Sequence, residues 1–161
     1  MPVYAMLQGP NLNRLGRRDP ARYGHRTLPH IQRDVDECAD GLGATVLHFQ
    51  SSHEGDLIDW LHGRQDDEAL PLDGGVILNP AGLTRAGWSL RTAVVDTGLP
   101  VAIVHLSELH SYGPEPEPDI FLGIANVYIA GAGWRGYRLA LEALHGRSED
   151  ARRRGSPGSP S

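Results

Sequence analysis

The sequence of 161 residues has the length of one domain that can bury a full hydrophobic core. Its formal net charge of −5 and its pI near 5.9 exclude a nucleic-acid-binding protein that works through bulk positive charge. Cys38 is the single cysteine, which excludes an intramolecular disulfide and fits a reducing compartment.

No apolar run in the sequence approaches the length of a membrane span. The first residues also lack the basic region and the apolar core of a secretion signal. We therefore expect a cytoplasmic protein that contacts neither a membrane nor a nucleic acid.

Five apolar runs alternate with helical patterns, and each run predicts a β-strand. The predicted strands cover residues 3–7, 44–49, 75–78, 101–104 and 124–130. The predicted helices open at Thr27, at residue 54, at Thr84 and in the stretch around Tyr137.

This alternation predicts a parallel sheet wrapped by helices, because parallel neighbours need long crossover connections. Five strands favour an α/β, flavodoxin-like three-layer sandwich with the strand order 2-1-3-4-5. We expect residues 1–147 to form this domain. Residues 148–161 contain three adjacent arginines followed by Gly, Ser and Pro, which predicts a disordered tail.

A long polar loop, residues 8–24, follows the first predicted strand. It carries several arginines together with Asn11 and Tyr23, a mixture suited to gripping an oxygen-rich anion. Loops of this length are uncommon unless they form lids or binding loops or are disordered. A solvated surface loop with a chance excess of arginine is the alternative interpretation.

Polar residues also follow the predicted strands, at residues 8–11, 50–54, 79–82 and 105–107. Ligands of open parallel sheets bind beyond the carboxyl ends of the strands, so we expect the site there. Polar residues belong at strand ends for structural reasons as well. No tight acidic set and no Cys/His spacing indicates a metal.

Other proteins of this architecture fit the strand ends poorly. A receiver domain needs an aspartate after strand three and a lysine, but this chain has Asn79 and no lysine. A flavodoxin needs a hydroxyl-rich phosphate loop after strand one, which residues 9–12 do not provide. Residues 131–136 match G-x-G-x-x-G, but the further strand with an acidic end is missing, so these glycines predict close helix packing.

A set of short motifs extends over about residues 3–146. They are residues 8–16 with Arg18 and residues 23–24, Gln50 and Ser51 with Glu54, and residues 59–60, 77–79, 82–84, 90–91, 104–107 and 136–141. Together they resemble the type II 3-dehydroquinate dehydratases, and the first loop is the most specific motif. The absence of lysine fits, because the unrelated type I enzymes need a Schiff-base lysine.

The resemblance implies a lyase that removes a proton α to a ketone and eliminates water through an enolate. Tyr23 matches the base, and Arg18 would help it to ionise, since an ordinary phenol has a pKa of about 10. A water near Asn11 would stabilise the enolate, and His105 would be the general acid on the departing hydroxyl. Taken alone, Tyr23 could be a packing residue and His105 a strand-end histidine.

The resemblance further implies a small keto substrate, no cofactor and no metal. The residues implied to bind the substrate are Asn79, Gly82, Arg85 and the backbone amides of Leu106 and Ser107. A lid, from about Leu12 to Tyr23, would close over the site and exclude water. The family forms homo-oligomers, dodecamers built from trimers, in which a neighbour contributes to each site.

The chain also departs from the family pattern. Gln8, Arg85 and Thr92 stand where the family has an asparagine, a histidine and an interfacial aspartate. Ile103 replaces the glutamate that orients the acid, so we expect His105 to lack its usual carboxylate support. Residues 111–119 are proline-rich and acidic where the family has arginines, which should weaken binding of an anionic quinate ring.

Three interpretations of function therefore stay open. The first is dehydration of 3-dehydroquinate or a related keto substrate. The second is another enolate reaction, such as a cyclisation or a different elimination, and the third is a non-catalytic binding or assembly protein. Tyr23, Arg18 and Asn11 favour catalysis, whereas Ile103 and Thr92 argue against the ancestral reaction.

Overall fold

The computed structural model of the chain describes residues 1–109 and 118–155. Five strands form one parallel sheet in the order β2-β1-β3-β4-β5, which confirms the predicted flavodoxin-like α/β fold. The strands are β1 (Val3–Gln8), β2 (Thr45–Gln50), β3 (Gly75–Asn79), β4 (Val101–His105) and β5 (Val127–Ala130).

Helices cover both faces of this sheet. They are α1 (Pro20–Tyr23), α2 (Leu28–Leu42), α3 (Glu54–Gln65), α4 (Trp88–Asp96) and α5 (Arg135–Gly155). No helix within these described ranges is long and apolar enough to span a membrane.

Helix α2 has the capping residues and the buried apolar face that its sequence predicts. The Thr27 side chain accepts a hydrogen bond from the backbone N–H of His30, and the His30 ring closes a capping box. Ile31 and Val35 are buried one turn apart. Gly43, at φ 66°, ends the helix in the left-handed conformation that a glycine adopts without strain.

The helix predicted to open at Thr84 begins later, at Trp88. Thr84 lies instead in a 3₁₀ turn, Ala81–Arg85, where its hydroxyl donates to the carbonyl oxygen of Ala81 at 2.6 Å. This local bond satisfies a hydroxyl that the sequence pattern assigned to a helix cap. The turn keeps the segment after β3 close to the end of the sheet.

The last two elements also differ from their predicted bounds. The fifth strand starts at Val127 rather than at residue 124, because Leu122–Ile124 form a 3₁₀ turn. Helix α5 continues to Gly155 and so includes residues 148–155, which the sequence interpretation placed in the tail.

Alternate residues of each strand point into two hydrophobic clusters, one on each face. Tyr4 and Met6 of β1 pack in the cluster that α2 and α5 cover. Ala5 and Leu7 pack in the opposite cluster, under α3 and α4. Period-two alternation therefore serves both faces of the central strand, and all four side chains are fully buried.

The strand register brings the polar ends of the strands to one level. Gln8, the last residue of β1, pairs with Asn79 of β3 on one side and with Gln50 of β2 on the other. The Gly9 N–H then donates to the Asn79 carbonyl at 2.9 Å. This close approach requires glycine, because a Cβ at Gly9 would lie 2.5 Å from the carbonyl oxygen of Pro80.

Replacement of Gly9 by alanine should therefore destabilise the protein by roughly 2 kcal/mol or more, since backbone has to move. Gly63→Ala is the matched control, because Gly63 lies inside α3 with no heavy atom within 4 Å of an added Cβ. That change should stabilise the protein by about 0.5–1 kcal/mol. Urea unfolding of both variants measures the difference, and equal effects would contradict the close-approach argument.

Candidate active site

A cavity of about 260 Å³ opens at the carboxyl edge of the sheet. Its walls come from the long first loop, the turn after β3 and the residues that end and follow β4. All nine residues predicted from the sequence line it: Asn11, Arg18, Tyr23, Asn79, Gly82, Arg85, His105, Leu106 and Ser107. The structure therefore brings the whole predicted set together around one space.

The first loop forms one wall, and two leucines fix it to the core. Leu12 and Leu15 are 2% and 3% exposed and pack into the cluster beneath α2 and α5. The four-residue helix α1 is then capped by Asp19, whose carboxylate accepts a hydrogen bond from the backbone N–H of Ala21. This helix presents Tyr23 at the rim of the cavity.

Arg18 lies over Tyr23 within this wall. The guanidinium carbon is 3.9 Å from the centroid of the phenol ring, a cation–π contact. A positive charge beside a phenol favours its ionised form. The loop therefore supplies both a phenol and, beside it, the positive charge that favours its phenolate form.

Two residues in the cavity wall hold a strained backbone. Asn11 has φ 68° and Ala81 has φ 49°, and they are the two non-glycine residues with positive φ in the described part of the chain. Asparagine tolerates the left-handed region, whereas alanine rarely enters it. Both lie next to glycine or proline in the turns that face each other across the sheet end, so the strain is stored at the site.

Asn79 is held by a buried hydrogen-bond chain. Its Nδ2 donates to the Tyr137 hydroxyl at 2.7 Å, and that hydroxyl donates to Gln8 Oε1 at 2.8 Å. Asn79 Oδ1 accepts from the Ala81 N–H at 3.0 Å. Burial raises the pKa of the Tyr137 phenol well above its ordinary value, so the hydroxyl stays protonated and can donate. One Nδ2 hydrogen of Asn79 is left for a ligand.

His105 makes an equally buried contact on the neighbouring strand. Its Nε2 lies 2.8 Å from Oδ2 of Asp119, and the two side chains are 4% and 6% exposed. The Tyr128 hydroxyl donates to the same oxygen at 2.8 Å, and the Phe121 N–H donates to Oδ1 at 2.8 Å.

The three hydrogen-bond donors determine the ionisation state of the Asp119 carboxyl. Burial raises the pKa of the Asp119 carboxyl, but the hydrogen bonds from His105, Phe121 and Tyr128 outweigh it and hold that pKa below its ordinary value. Burial and the bond to Asp119 in turn raise the pKa of Tyr128. The carboxyl is therefore the charged member of the network and the phenol the neutral one.

The expectation that His105 lacks a carboxylate is therefore wrong. Ile103 is fully buried in the apolar cluster, as its side chain requires, but Asp119 reaches the imidazole from a different segment. Asp119 belongs to the stretch predicted to weaken substrate binding, yet it is not among the residues that line the cavity. Within that stretch, residues 111–117 lie outside the described residues.

The other residues that depart from the family pattern lie in different parts of the structure. Arg85 lines the cavity, whereas Thr92 lies on the exposed face of α4 and donates its hydroxyl to the Trp88 carbonyl at 3.1 Å. Gln8 is fully buried, and its Nε2 has no hydrogen-bond partner among the described residues.

Sequence reasoning missed Asp119, Tyr128 and Tyr137 as members of the site. A signal existed for the two tyrosines, because a hydroxyl on a buried strand or helix needs a polar partner. No local signal indicates Asp119, whose partner is 14 residues away. Among the described residues no group of His, Cys, Asp or Glu side chains could hold a metal ion.

Comparison with known proteins adds to this geometry. The family model for dehydroquinase class II matches residues 2–145. A 3-dehydroquinate dehydratase of Bacillus subtilis (strain 168) is 38% identical over 144 residues, which are 89% of this chain and 94% of that protein. One of Roseiflexus castenholzii is 43% identical over 141 residues, 88% of this chain and 87% of that protein. The crystal structure of a type II dehydroquinase from Propionibacterium acnes has a TM-score of 0.80 and 30% identity, and the match covers 91% of this chain and 97% of that chain.

Tyr137→Phe tests the buried chain that holds Asn79. The variant leaves Asn79 Nδ2 and Gln8 Oε1 without the hydrogen bonds that the Tyr137 hydroxyl makes, which should cost about 1–3 kcal/mol. Tyr4→Phe is the control, since it removes one hydroxyl bonded to His145 at 3.2 Å, at the other end of the sheet. Chemical unfolding measures both, and a loss for Tyr137→Phe no larger than for Tyr4→Phe would contradict the double role of this hydroxyl.

Proposed function

This chain belongs to the dehydroquinase class II family, and we propose that it dehydrates 3-dehydroquinate through an enolate intermediate. The observation that carries the proposal is the phenol of Tyr23 under the Arg18 guanidinium, in one cavity with His105. This arrangement offers a base and an acid in the same cavity. The curated relatives described above are named 3-dehydroquinate dehydratases.

In the first step the phenolate oxygen of Tyr23 takes a proton from the carbon next to the ketone. The electron pair of the broken C–H bond moves onto the ketone oxygen and forms an enolate. Arg18 favours the phenolate before this step, and a water held by Asn11 donates to the enolate oxygen. Both residues lie in the first loop, so the loop supplies the chemistry of deprotonation.

In the second step the enolate electrons form the new carbon–carbon double bond and the C–O bond to the departing hydroxyl breaks. His105 gives that hydroxyl its proton, and water leaves. Tyr23 has then gained a proton and His105 has lost one, so exchange with solvent resets the site. No external oxidant or reductant is needed for this balance.

The sheet edge supplies the substrate grip. Asn79 offers its free Nδ2 hydrogen, and the backbone amides of Leu106 and Ser107 follow β4 beside it. We assign the substrate carboxylate to this group, because amide donors bind a carboxylate without adding another titrating charge. Arg85 and Gly82 complete the wall from the turn after β3.

Purified protein given 3-dehydroquinate should form the conjugated enone product, seen as rising ultraviolet absorbance. Tyr23→Phe keeps the ring that Arg18 covers but lacks the phenol oxygen, and kcat should fall by about 10²–10⁴-fold. A folded wild-type protein that produces no enone would overturn the proposal, as would a variant as active as the wild type.

We further propose that the protein works as a homo-oligomer of the trimer-based kind implied by its family resemblance. The exposed face of α4 supports this, because Trp88 is 60% and Val95 is 47% exposed, with Thr92 between them. Leu122, on the segment that Arg91 joins to α4 through the Ile120 carbonyl, is 56% exposed. Apolar side chains at such exposure are typical of a surface that a partner covers.

Sedimentation velocity should therefore show a species of at least three chains. Trp88→Glu places a charge on the proposed interface and should shift the protein toward smaller species. Leu139→Glu is the control, because it changes a 46% exposed leucine of α5, on the opposite face of the sheet, and should leave the assembly unchanged. Equal dissociation by both variants, or a monomeric wild type, would contradict this interface.

A further inference from the structure

His105 makes a buried contact with Asp119 that the proposed reaction does not yet use. We propose that Asp119 is a positioning residue: it holds the neutral imidazole of His105 in the tautomer with hydrogen on Nε2, so that Nδ1 is the ring nitrogen that takes up a proton from solvent and then gives it to the departing hydroxyl. The assignment to a departing hydroxyl rests on the proposed function. The tautomer itself does not.

The contact has the geometry that such a role requires. Oδ2 of Asp119 lies 2.8 Å from Nε2 of His105, and neither side chain exposes more than 6% of its surface. The other two donors, Tyr128 and the backbone of Phe121, fix the carboxylate plane from a second strand and from its own loop. A carboxylate with all three bonds made cannot rotate away without leaving buried donors unpartnered.

The direction of the central bond follows from charge. Asp119 already accepts from two neutral donors and stays ionised, so it has no proton to give. Nε2 of His105 must therefore be the donor. Nδ1 is the remaining ring nitrogen, and His105 is the member of this pair that lines the cavity.

Asp119 acts through His105 and not on the substrate, since it is not among the cavity residues. It accepts the hydrogen on Nε2 and leaves Nδ1 as the ring nitrogen that can exchange a proton. Asp119 contacts the His105 imidazole directly, and Tyr128 bonds the same carboxylate and lies near the charge of Glu108. The titratable and charged groups that line the cavity with His105 are Arg18, Tyr23 and Arg85. Among these, Asp119 is the group within hydrogen-bond distance of Nε2.

Asp119→Asn is the decisive variant. The amide oxygen of asparagine can keep the bond from the Phe121 N–H, but the NH₂ group would then face Nε2 and donate to it. The neutral imidazole should switch to the tautomer with hydrogen on Nδ1. We expect kcat to fall by at least about tenfold with KM within about twofold, by analogy with a serine protease in which the same change at a His–Asp pair lowers kcat about 10⁴-fold.

Two further variants separate positioning from mere structure. Asp36→Asn makes the same change at another His–Asp pair, His48 with Asp36 at 2.7 Å, and neither residue lines the cavity, so the His105 tautomer and kcat should stay close to wild type. Asp119→Glu restores a carboxylate and should recover part of the kcat that Asp119→Asn loses.

Nitrogen-15 NMR of the ligand-free protein reads the tautomer directly, with His105→Gln used to assign the resonance. A wild-type neutral ring with hydrogen on Nδ1 would overturn the proposal without any variant. Unchanged kcat and an unchanged tautomer in folded Asp119→Asn would overturn it too. If wild type forms no enone from 3-dehydroquinate but shows hydrogen on Nε2, the proposed reaction fails while the positioning role stands.

Discussion

The register of the parallel sheet is the constraint on which the site depends. Gln8 pairs with Asn79, and His105 ends the next strand, so three polar side chains reach the same edge at nearly the same depth. Each is less than 5% exposed, and a buried polar side chain left unsatisfied would cost about 1–3 kcal/mol. Tyr137 and Asp119 supply the hydrogen-bond partners that offset this cost.

Much of this arrangement was predictable because it follows from local chemistry. Alternation of apolar runs and helices fixed the sheet, and the motifs around Tyr23 and His105 identified residues that share one cavity. Thr84 was misplaced because its hydroxyl bonds a carbonyl three residues back, which sequence spacing alone does not distinguish from a helix cap. Asp119 was missed because its contact depends on tertiary packing rather than on a spacing.

Ile103 and Asp119 show why a departure from a family pattern is weak evidence of lost chemistry. A carboxylate at position 103 would lie in the apolar cluster in which the Ile103 side chain is fully buried. The same imidazole accepts a carboxylate from any direction that gives hydrogen-bond geometry, so the support can move to another segment while the neighbouring core becomes apolar. In this chain Asp119 supplies the carboxylate contact to His105 that Ile103 cannot supply.

The two halves of the site differ in how firmly they are held. His105 and Asn79 are fixed by buried bonds at the end of a sheet, whereas Tyr23 stands on a four-residue helix whose other residues are exposed. Short, exposed segments open locally at small cost in free energy, while buried networks open only with the core. The proposed acid and the residues proposed to bind the substrate carboxylate are thus preorganised, and the proposed base lies on a short, exposed segment. Such a division would let the first loop close over a ligand, as the lid prediction requires, without disturbing the bond between His105 and Asp119.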